Sequence, residues 1–253
     1  MDIIKKFIEI NQKVCLVIEG KLPQAKKDIT EEYSTVVSKY ANQKHTPTIV
    51  DIGGGRLTPY FKYLKPNLKH ELIVIDEDKK ELEKNLNANK VIIANLNNTL
   101  PLKNNSVDII TSRYVFEHLN DIPNFLLNSN KSLKNGGLSI NLFSCKFAIF
   151  ALLNQIIPQQ LSKLLLNNLV LNSKHIRGFK TNYNYCYYSS IINVFIKTGF
   201  KVERISLSYY QSRYFSFFVP FYIISIFYEL IMFSLGLKNL CAYILIVARK
   251  NGD

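Results

Sequence analysis

The sequence predicts an α/β fold in which a mostly parallel, seven-stranded sheet is covered by helices on both faces. Apolar runs of strand length alternate with helical stretches over about 100 residues, a pattern typical of parallel sheets. The first apolar run ends in an acidic residue and three glycines, Asp51-Ile52-Gly53-Gly54-Gly55, which indicates a strand passing directly into a tight loop. Two further strand-like runs, 200–208 and 241–248, complete the sheet.

Two helical stretches precede the sheet. Apolar residues recur at helical spacing over 3–18 and 24–40, so we expect two N-terminal cover helices. The glycine loop is expected to lead into a short helix, 57–64, which Pro66 ends. The predicted strands are 48–52, 71–76, 91–93, 107–112, 138–143, 200–208 and 241–248. The remaining predicted helices are 78–87, 123–133 and 189–198.

The composition is that of a globular protein with a basic surface. The 253 residues carry a net charge of +13, of which +4 falls in residues 1–140 and +9 in residues 141–253. Nucleic acid, an anionic membrane surface or a phosphorylated substrate would each suit that excess. The four cysteines are far apart in the sequence. We therefore expect reduced thiols in a cytoplasmic protein, with neither a disulfide framework nor a metal site.

The glycine loop is compatible with two classes of cofactor. A dinucleotide site has the spacing G-x-G-x-x-G, and here its third glycine position is Thr58. Asp51, two residues before Gly53, would repel the phosphates of a dinucleotide and attract an ammonium group. Asp76 ends the second strand roughly 20 residues past Gly53, where a carboxylate accepts hydrogen bonds from ribose hydroxyls. A loop without a ligand, and Asp76 as a helix cap, are the alternatives.

Four short motifs follow the glycine loop: Leu100-Pro101-Leu102, Ser106-Val107-Asp108, Glu117-His118-Leu119 and Leu133-Lys134-Asn135-Gly136-Gly137. This succession resembles the small-molecule class I methyltransferases that use S-adenosylmethionine (SAM), of the "EHL" type described as methyltransferase domain 11. The resemblance covers 47–143 by motif and 187–249 by pattern. It implies a Rossmann-like sheet whose last strand is antiparallel, and an enzyme that takes its methyl group from SAM.

The resemblance also implies one domain over residues 1–253. Its parts would be the cover helices in 1–45, a SAM-binding core in 47–143, a substrate cover in 145–186, and a C-terminal part, 187–253. The C-terminal part would contain an apolar helical insertion, 214–236.

Carried over position by position, the resemblance assigns the glycine loop to the methionine end of SAM and Asp76, beside Glu77, to the ribose. Asn95 stands where the family has an aspartate near the adenine, and its amide oxygen can still accept a hydrogen bond. His118 is the expected general base for an acceptor hydroxyl, because imidazole titrates near neutral pH. A structural role for Glu117 and His118 is the alternative. The expected cofactor-binding residues are Asp51, Gly53, Gly54, Gly55, Asp76, Glu77, Asn95, Leu96, Ser112 and Arg113, and no metal is expected.

The expected activity is methyl transfer to a small molecule, a glycan or a lipid-linked acceptor. Methylation of RNA, favoured by the net charge, and a catalytically weak partner protein are the alternatives. Residues 214–236 carry one charged residue, Glu229, and are long enough to span a bilayer. A single span would separate 241–248 from the sheet. We therefore expect a helix lying on the domain and touching the inner face of the membrane, with a subunit interface or extra core as alternatives.

Overall fold

The computed structural model describes residues 2–22, 29–98, 100–157 and 181–252. Its strands form one seven-stranded sheet in the order β3-β2-β1-β4-β5-β7-β6. β1 to β5 pair in parallel, whereas β7 runs antiparallel to both of its neighbours, β5 and β6. The predicted mixed sheet with an antiparallel last strand is therefore confirmed. The strands are β1 (Thr48–Ile52), β2 (Glu71–Asp76), β3 (Lys90–Ile93), β4 (Val107–Arg113), β5 (Leu133–Ser144), β6 (Phe200–Ser208) and β7 (Tyr243–Lys250).

Helices lie on both faces of this sheet. Side chains of one sheet face pack with α4 and α6, around the stacked rings of Phe116 and Phe143. Side chains of the other face pack with α2, around Tyr33 and Tyr60. The described helices are α1 (Asp2–Glu19), α2 (Ile29–Ala41), α3 (Lys79–Leu82), α4 (Ile122–Ser132), α5 (Ile149–Ile156), α6 (Tyr188–Lys197) and α7 (Val219–Ser234).

The predicted helix 57–64 is wrong. After the glycine loop the chain forms turns and a single 3-10 turn, Phe61–Tyr63. Pro59 and Pro66 explain the difference, because the residue before a proline is disfavoured in helical conformation. Too few residues remain between the two prolines to nucleate an α-helix.

The second departure is the length of α3, which was predicted over 78–87 and covers only Lys79–Leu82. Asp78 caps its N-terminus by accepting the N–H of Glu81, so Asp76 is not the cap. The side-chain oxygen of Asn85 accepts the N–H groups of Asn87 and Ala88. Such local side-chain bonds offer the backbone an alternative to the helix and end it early.

The two N-terminal helices have different partners. α2 packs on the sheet through residues such as Tyr33 and Val37. α1 packs instead on α7, where Cys15 contacts Tyr222 and Ile226. The helix predicted within 214–236 is confirmed as α7, which lies between β6 and β7. Much of the predicted substrate cover, 145–186, lies outside the described residues.

Candidate functional site

The candidate site lies at the carboxyl edge of the sheet. β1 is parallel to both β2 and β4, and Ile52 pairs with Ile75 on one side and Ser112 on the other. The residues that follow these three strands therefore meet at one edge. A cleft of about 350 Å³ opens there, which is within the range of small-molecule pockets. It is lined by Gly53, Asp76, Glu77, Leu96, Asn97, Tyr114, Val115, His118, Leu119, Asn120 and Asn182.

The glycine loop brings backbone against the floor of this cleft. Gly53 has a φ of +65°, and a Cβ atom there would overlap Cγ2 of Val115. A Cβ atom at Gly54 would lie 2.8 Å from both Cγ of Asp51 and Cγ1 of Val74. The first position therefore needs glycine for conformation and space, and the second needs it for space. Gly54 and Gly55 do not line the cleft, although both were predicted to bind the cofactor.

Asp51 is the buried acid behind the loop, with 2% of its surface exposed. Burial raises the pKa of Asp51 to about 7, and the nearby guanidinium of Arg113 opposes that rise. The hydroxyl of Tyr60 interacts with this carboxyl and also opposes the rise in its pKa, although neither it nor Oδ2 of Asp51 makes a hydrogen bond of good geometry within the described residues. Burying a carboxylate is costly unless nearby cations and donors compensate it.

Asp76 joins the loop to β2. Its Oδ2 atom accepts the N–H of Gly55 at 3.1 Å, and its Oδ1 atom accepts the N–H of Asp78 at 2.9 Å. These two bonds fix the direction in which the carboxylate points, and carboxylate oxygens are acceptors for hydroxyl groups. Both Asp76 and its neighbour Glu77 line the cleft. The arrangement fixes the Asp76 carboxylate at the mouth of the glycine loop.

The opposite wall is formed by the residues that follow β4. Tyr114 has a φ of +60°, which is rare for a bulky side chain. Its hydroxyl lies 3.0 Å from the hydroxyl of Thr30 on α2, which holds the strained residue in place. His118, the predicted general base, ends a 3-10 turn, Phe116–His118, and lines the cleft. Tyr114 was not predicted, because no sequence signal marks a positive φ at a tyrosine.

Behind His118 lies a second buried carboxyl group, that of Glu117. It accepts the Ser144 hydroxyl at 2.6 Å, and its own backbone oxygen accepts the N–H of Asn182 at 2.7 Å. Burial raises the pKa of Glu117, and the neighbouring His118 opposes that rise. Glu117 does not line the cleft, so it anchors the turn that presents His118.

Asparagine side chains form one rim of the cleft. Nδ2 of Asn182 donates to the backbone oxygen of His118 at 3.0 Å and to Oδ1 of Asn120 at 2.8 Å. Oδ1 of Asn97 accepts the N–H of Asn120 at 2.8 Å. These residues come from three distant parts of the chain, so sequence reasoning missed all of them. The result is an uncharged rim rich in hydrogen-bonding groups.

Besides Asp51, Gly54 and Gly55, three further predicted residues lie outside the cleft lining, namely Asn95, Ser112 and Arg113. Ser112 is fully buried, and its hydroxyl donates to Oδ1 of Asn141 at 2.8 Å. Arg113 places its guanidinium over the ring of Tyr114. Oδ1 of Asn95 accepts the N–H of Asn97 at 2.9 Å, whereas Leu96 and Asn97 line the cleft. Ser112 is therefore turned into the sheet, away from the position that the resemblance implied.

The residues of this edge fit a cofactor that has a cationic amino-acid end and a ribose. The carboxylate of Asp51, buried behind the glycine loop, supplies a negative charge that suits an ammonium group. The glycines leave space for close approach, and Asp76 is held where hydroxyl groups can reach it. Among the described residues, no group of three or more histidine, cysteine, aspartate or glutamate side chains could hold a metal ion.

Comparisons with known proteins match part of the sequence and the fold. A family model described as "Methyltransferase domain" matches residues 50–141. A comparison with curated protein sequences finds no match.

Solved structures with similar folds include a SAM-dependent methyltransferase from Mesorhizobium loti, which is 15% identical in sequence. The match covers 81% of this chain and 91% of that one, with a TM-score of 0.54. Geranyl diphosphate C-methyltransferase from Streptomyces coelicolor, solved with S-adenosyl-L-homocysteine, has 11% identity, coverage of 87% and 80%, and a TM-score of 0.57. A complex between the Haloferax volcanii Trm112 methyltransferase activator and a methyltransferase has 11% identity, coverage of 97% and 98%, and a TM-score of 0.59. At these identities the structures show the fold alone. The domain matched over residues 50–141, together with this fold and the glycine loop at its cleft, supports a class I SAM-dependent methyltransferase.

Proposed function

We propose that the enzyme methylates a small, uncharged acceptor, such as a glycan or a lipid-linked intermediate. The lining of the cleft carries this proposal. It includes two acids, Asp76 and Glu77, and several amides, but no lysine or arginine among the described residues. Acidic groups attract a sulfonium cofactor and repel the phosphates of a nucleic acid. The amide rim offers donors and acceptors to hydroxyl groups.

The roles of the chain's own residues follow from their positions. Asp51 and the glycine loop would hold the amino-acid end of SAM, and Asp76 its ribose. When bound, SAM supplies a methyl group on a good leaving group, so the reaction is a displacement at carbon that needs no metal. The protein must then orient the acceptor and exclude water. Tyr114 and Leu119 give the cleft its apolar wall.

His118 lines the cleft, and a neutral imidazole can accept a proton from the acceptor. The turn that carries it is fixed by Asn182 and by Glu117. A positioned base of this kind contributes roughly 100-fold or more to a rate. We therefore assign His118 the role of general base when the acceptor atom is a hydroxyl oxygen.

The test begins with SAM binding, measured by isothermal titration calorimetry. Asp76→Asn should weaken SAM binding roughly 10-fold or more, since a hydrogen bond to a charged group is lost. Asp78→Asn is the matched control, because Asp78 caps α3 and does not line the cleft. Unchanged affinity in Asp76→Asn would remove the ribose assignment. Labelled SAM supplied with a lipid and glycan extract would then reveal the acceptor.

RNA methylation is the competing function, favoured by the net charge of +13. Phosphate contacts make binding fall steeply with salt concentration. Labelling of RNA in preference to the extract, with strong salt dependence, would replace the proposal. A salt-insensitive reaction with a neutral acceptor would support it. A protein that binds SAM and labels neither class would be the catalytically weak partner instead.

A further inference from the structure

Two helices outside the candidate site, α1 and α7, carry about half of the exposed large apolar side chains among the described residues. On α7, exposed apolar side chains recur at helical spacing on one face: Ile223, Ile224, Phe227 and Ile231. Ile224 is 64% exposed and Phe227 is 61% exposed. Soluble surfaces seldom present contiguous apolar faces of this kind unless the face binds something.

The single charged residue of α7, Glu229, points the other way. It is 2% exposed. Its Oε1 atom accepts the N–H groups of Gln211 and Ser212 and the hydroxyl of Ser225. Glu229 therefore holds the backbone at Gln211 and Ser212 against α7. As a consequence, the exposed face of the helix carries no charge at all.

α1 packs against α7 and carries exposed apolar side chains of its own. Its inner side packs on α7 through Cys15, and Oδ1 of Asn11 accepts the N–H of Val219 at 3.0 Å. Its outer side carries apolar residues at spacings of three and four, which place them along one stripe. The exposed residues of that stripe are Ile3, Phe7, Ile10, Val14 and Val17.

Lysines accompany the α1 stripe. Lys5, Lys6 and Lys13 are exposed on the same helix. Among its described acidic side chains, Glu9 is exposed, whereas Glu19 is half-buried and accepts the hydroxyl of Tyr210. Lysine side chains beside an apolar stripe complement anionic headgroups while the apolar residues enter the acyl boundary. A second copy of this chain would fit less well, because it would bring the same lysines face to face. Charge complementarity therefore favours a lipid surface.

We propose that the exposed faces of α1 and α7 form a docking surface for an anionic lipid membrane. The 16 residues of α7 measure about 24 Å, which is less than the hydrocarbon thickness of a bilayer. Among the described residues, no helix has the length and apolar character needed to cross a membrane. The two helices lie in the interface, side by side, and hold the domain against the membrane. This docking is independent of the identity of the acceptor.

The test is co-sedimentation of the full chain with vesicles. Phosphatidylcholine vesicles containing about 30% phosphatidylglycerol should sediment the wild-type protein better than pure phosphatidylcholine vesicles do. Ile224→Glu/Phe227→Glu on α7 and Phe7→Glu/Ile10→Glu on α1 should each reduce binding at least about 10-fold. Leu86→Glu is the matched control, because Leu86 is 94% exposed and lies outside both helices.

SAM affinity, measured on the same preparations, separates this proposal from the preceding one. Each variant should keep wild-type SAM affinity, since its substitutions lie outside the cleft. Wild-type protein that stays in the supernatant, or an α7 variant that sediments like the wild type, would overturn the docking surface. A wild-type dimer that the α7 variant dissociates, without vesicle binding, would assign the face to self-association and overturn the proposal equally.

Discussion

Replacing Asp51 by asparagine should stabilise the protein and weaken cofactor binding at the same time. Asp51 is buried behind the glycine loop, and burial raises its pKa from 3.8 to about 7. Between about pH 4 and pH 7, the carboxyl group of Asp51 therefore keeps a proton in the folded protein that it has lost in the unfolded chain. Wild-type stability falls as pH rises from about 4 to about 7, and the loss is complete above the folded pKa. Asparagine is neutral at every pH and avoids the loss.

The size of the effect follows from the shift. A change of roughly three pKa units corresponds to about 4 kcal/mol, since each unit is worth about 1.4 kcal/mol. The variant should thus gain up to about 4 kcal/mol over wild type at pH 8, and little at pH 4. That gain is a large share of the net stability of a typical domain. Its SAM affinity should fall roughly 10-fold or more, because the cofactor's ammonium group loses its counter-charge.

Urea unfolding of both proteins at several pH values measures the stability difference, and calorimetry measures SAM affinity. Asp108→Asn is the control with the opposite sign. Asp108 accepts the Nζ of Lys134 at 2.7 Å and the N–H of Thr48 at 3.0 Å, and these partners lower its pKa despite its burial. Asp108→Asn should therefore destabilise the protein at neutral pH. This destabilisation should disappear as the pH falls through the lowered pKa of Asp108 in the folded protein. An Asp51→Asn variant whose stability difference does not change with pH would refute the reasoning.

Two other predictions concern the loop and the base. Gly53→Ala should cost about 1–3 kcal/mol more than Gly236→Ala, because both glycines have a positive φ but only Gly53 faces a side chain, that of Val115. Urea unfolding measures this difference, and adding Val115→Ala to Gly53→Ala should recover part of it. His118→Gln should slow methyl transfer about 100-fold or more while SAM affinity stays within about twofold of wild type. A parallel loss of SAM affinity, read by calorimetry, would give His118 a structural role instead.

The fold was predictable because its signals are local. The central strands are short apolar runs, and the edge strand β6 was predicted with its observed bounds, Phe200–Ser208. The errors have local causes too. Pro59 and Pro66 suppress the helix after β1, and Asn85 ends α3 early. The prolines restrict the backbone conformation of the residues before them, and the Asn85 side chain accepts backbone N–H groups. The spacing of apolar residues contains no information about either effect.

The site was predictable only where strand order determines it. Gly53, Asp76, Glu77, Leu96 and His118 line the cleft, because parallel strands deliver their carboxyl ends to one edge. The other wall depends on packing between distant segments. Its residues Tyr114, Asn120 and Asn182 carry no motif that marks them.

By itself, the sequence determined the class of fold, the carboxylate and glycine loop, and the order of the motifs that follow it. Only the tertiary structure decided that Asp51 is dehydrated enough to titrate near neutral pH, because desolvation depends on every segment packed around a group. It also decided that Glu229 turns inward and leaves the face of α7 uncharged. A periodic pattern states which residues share a face, whereas the surrounding chain determines which face meets the core.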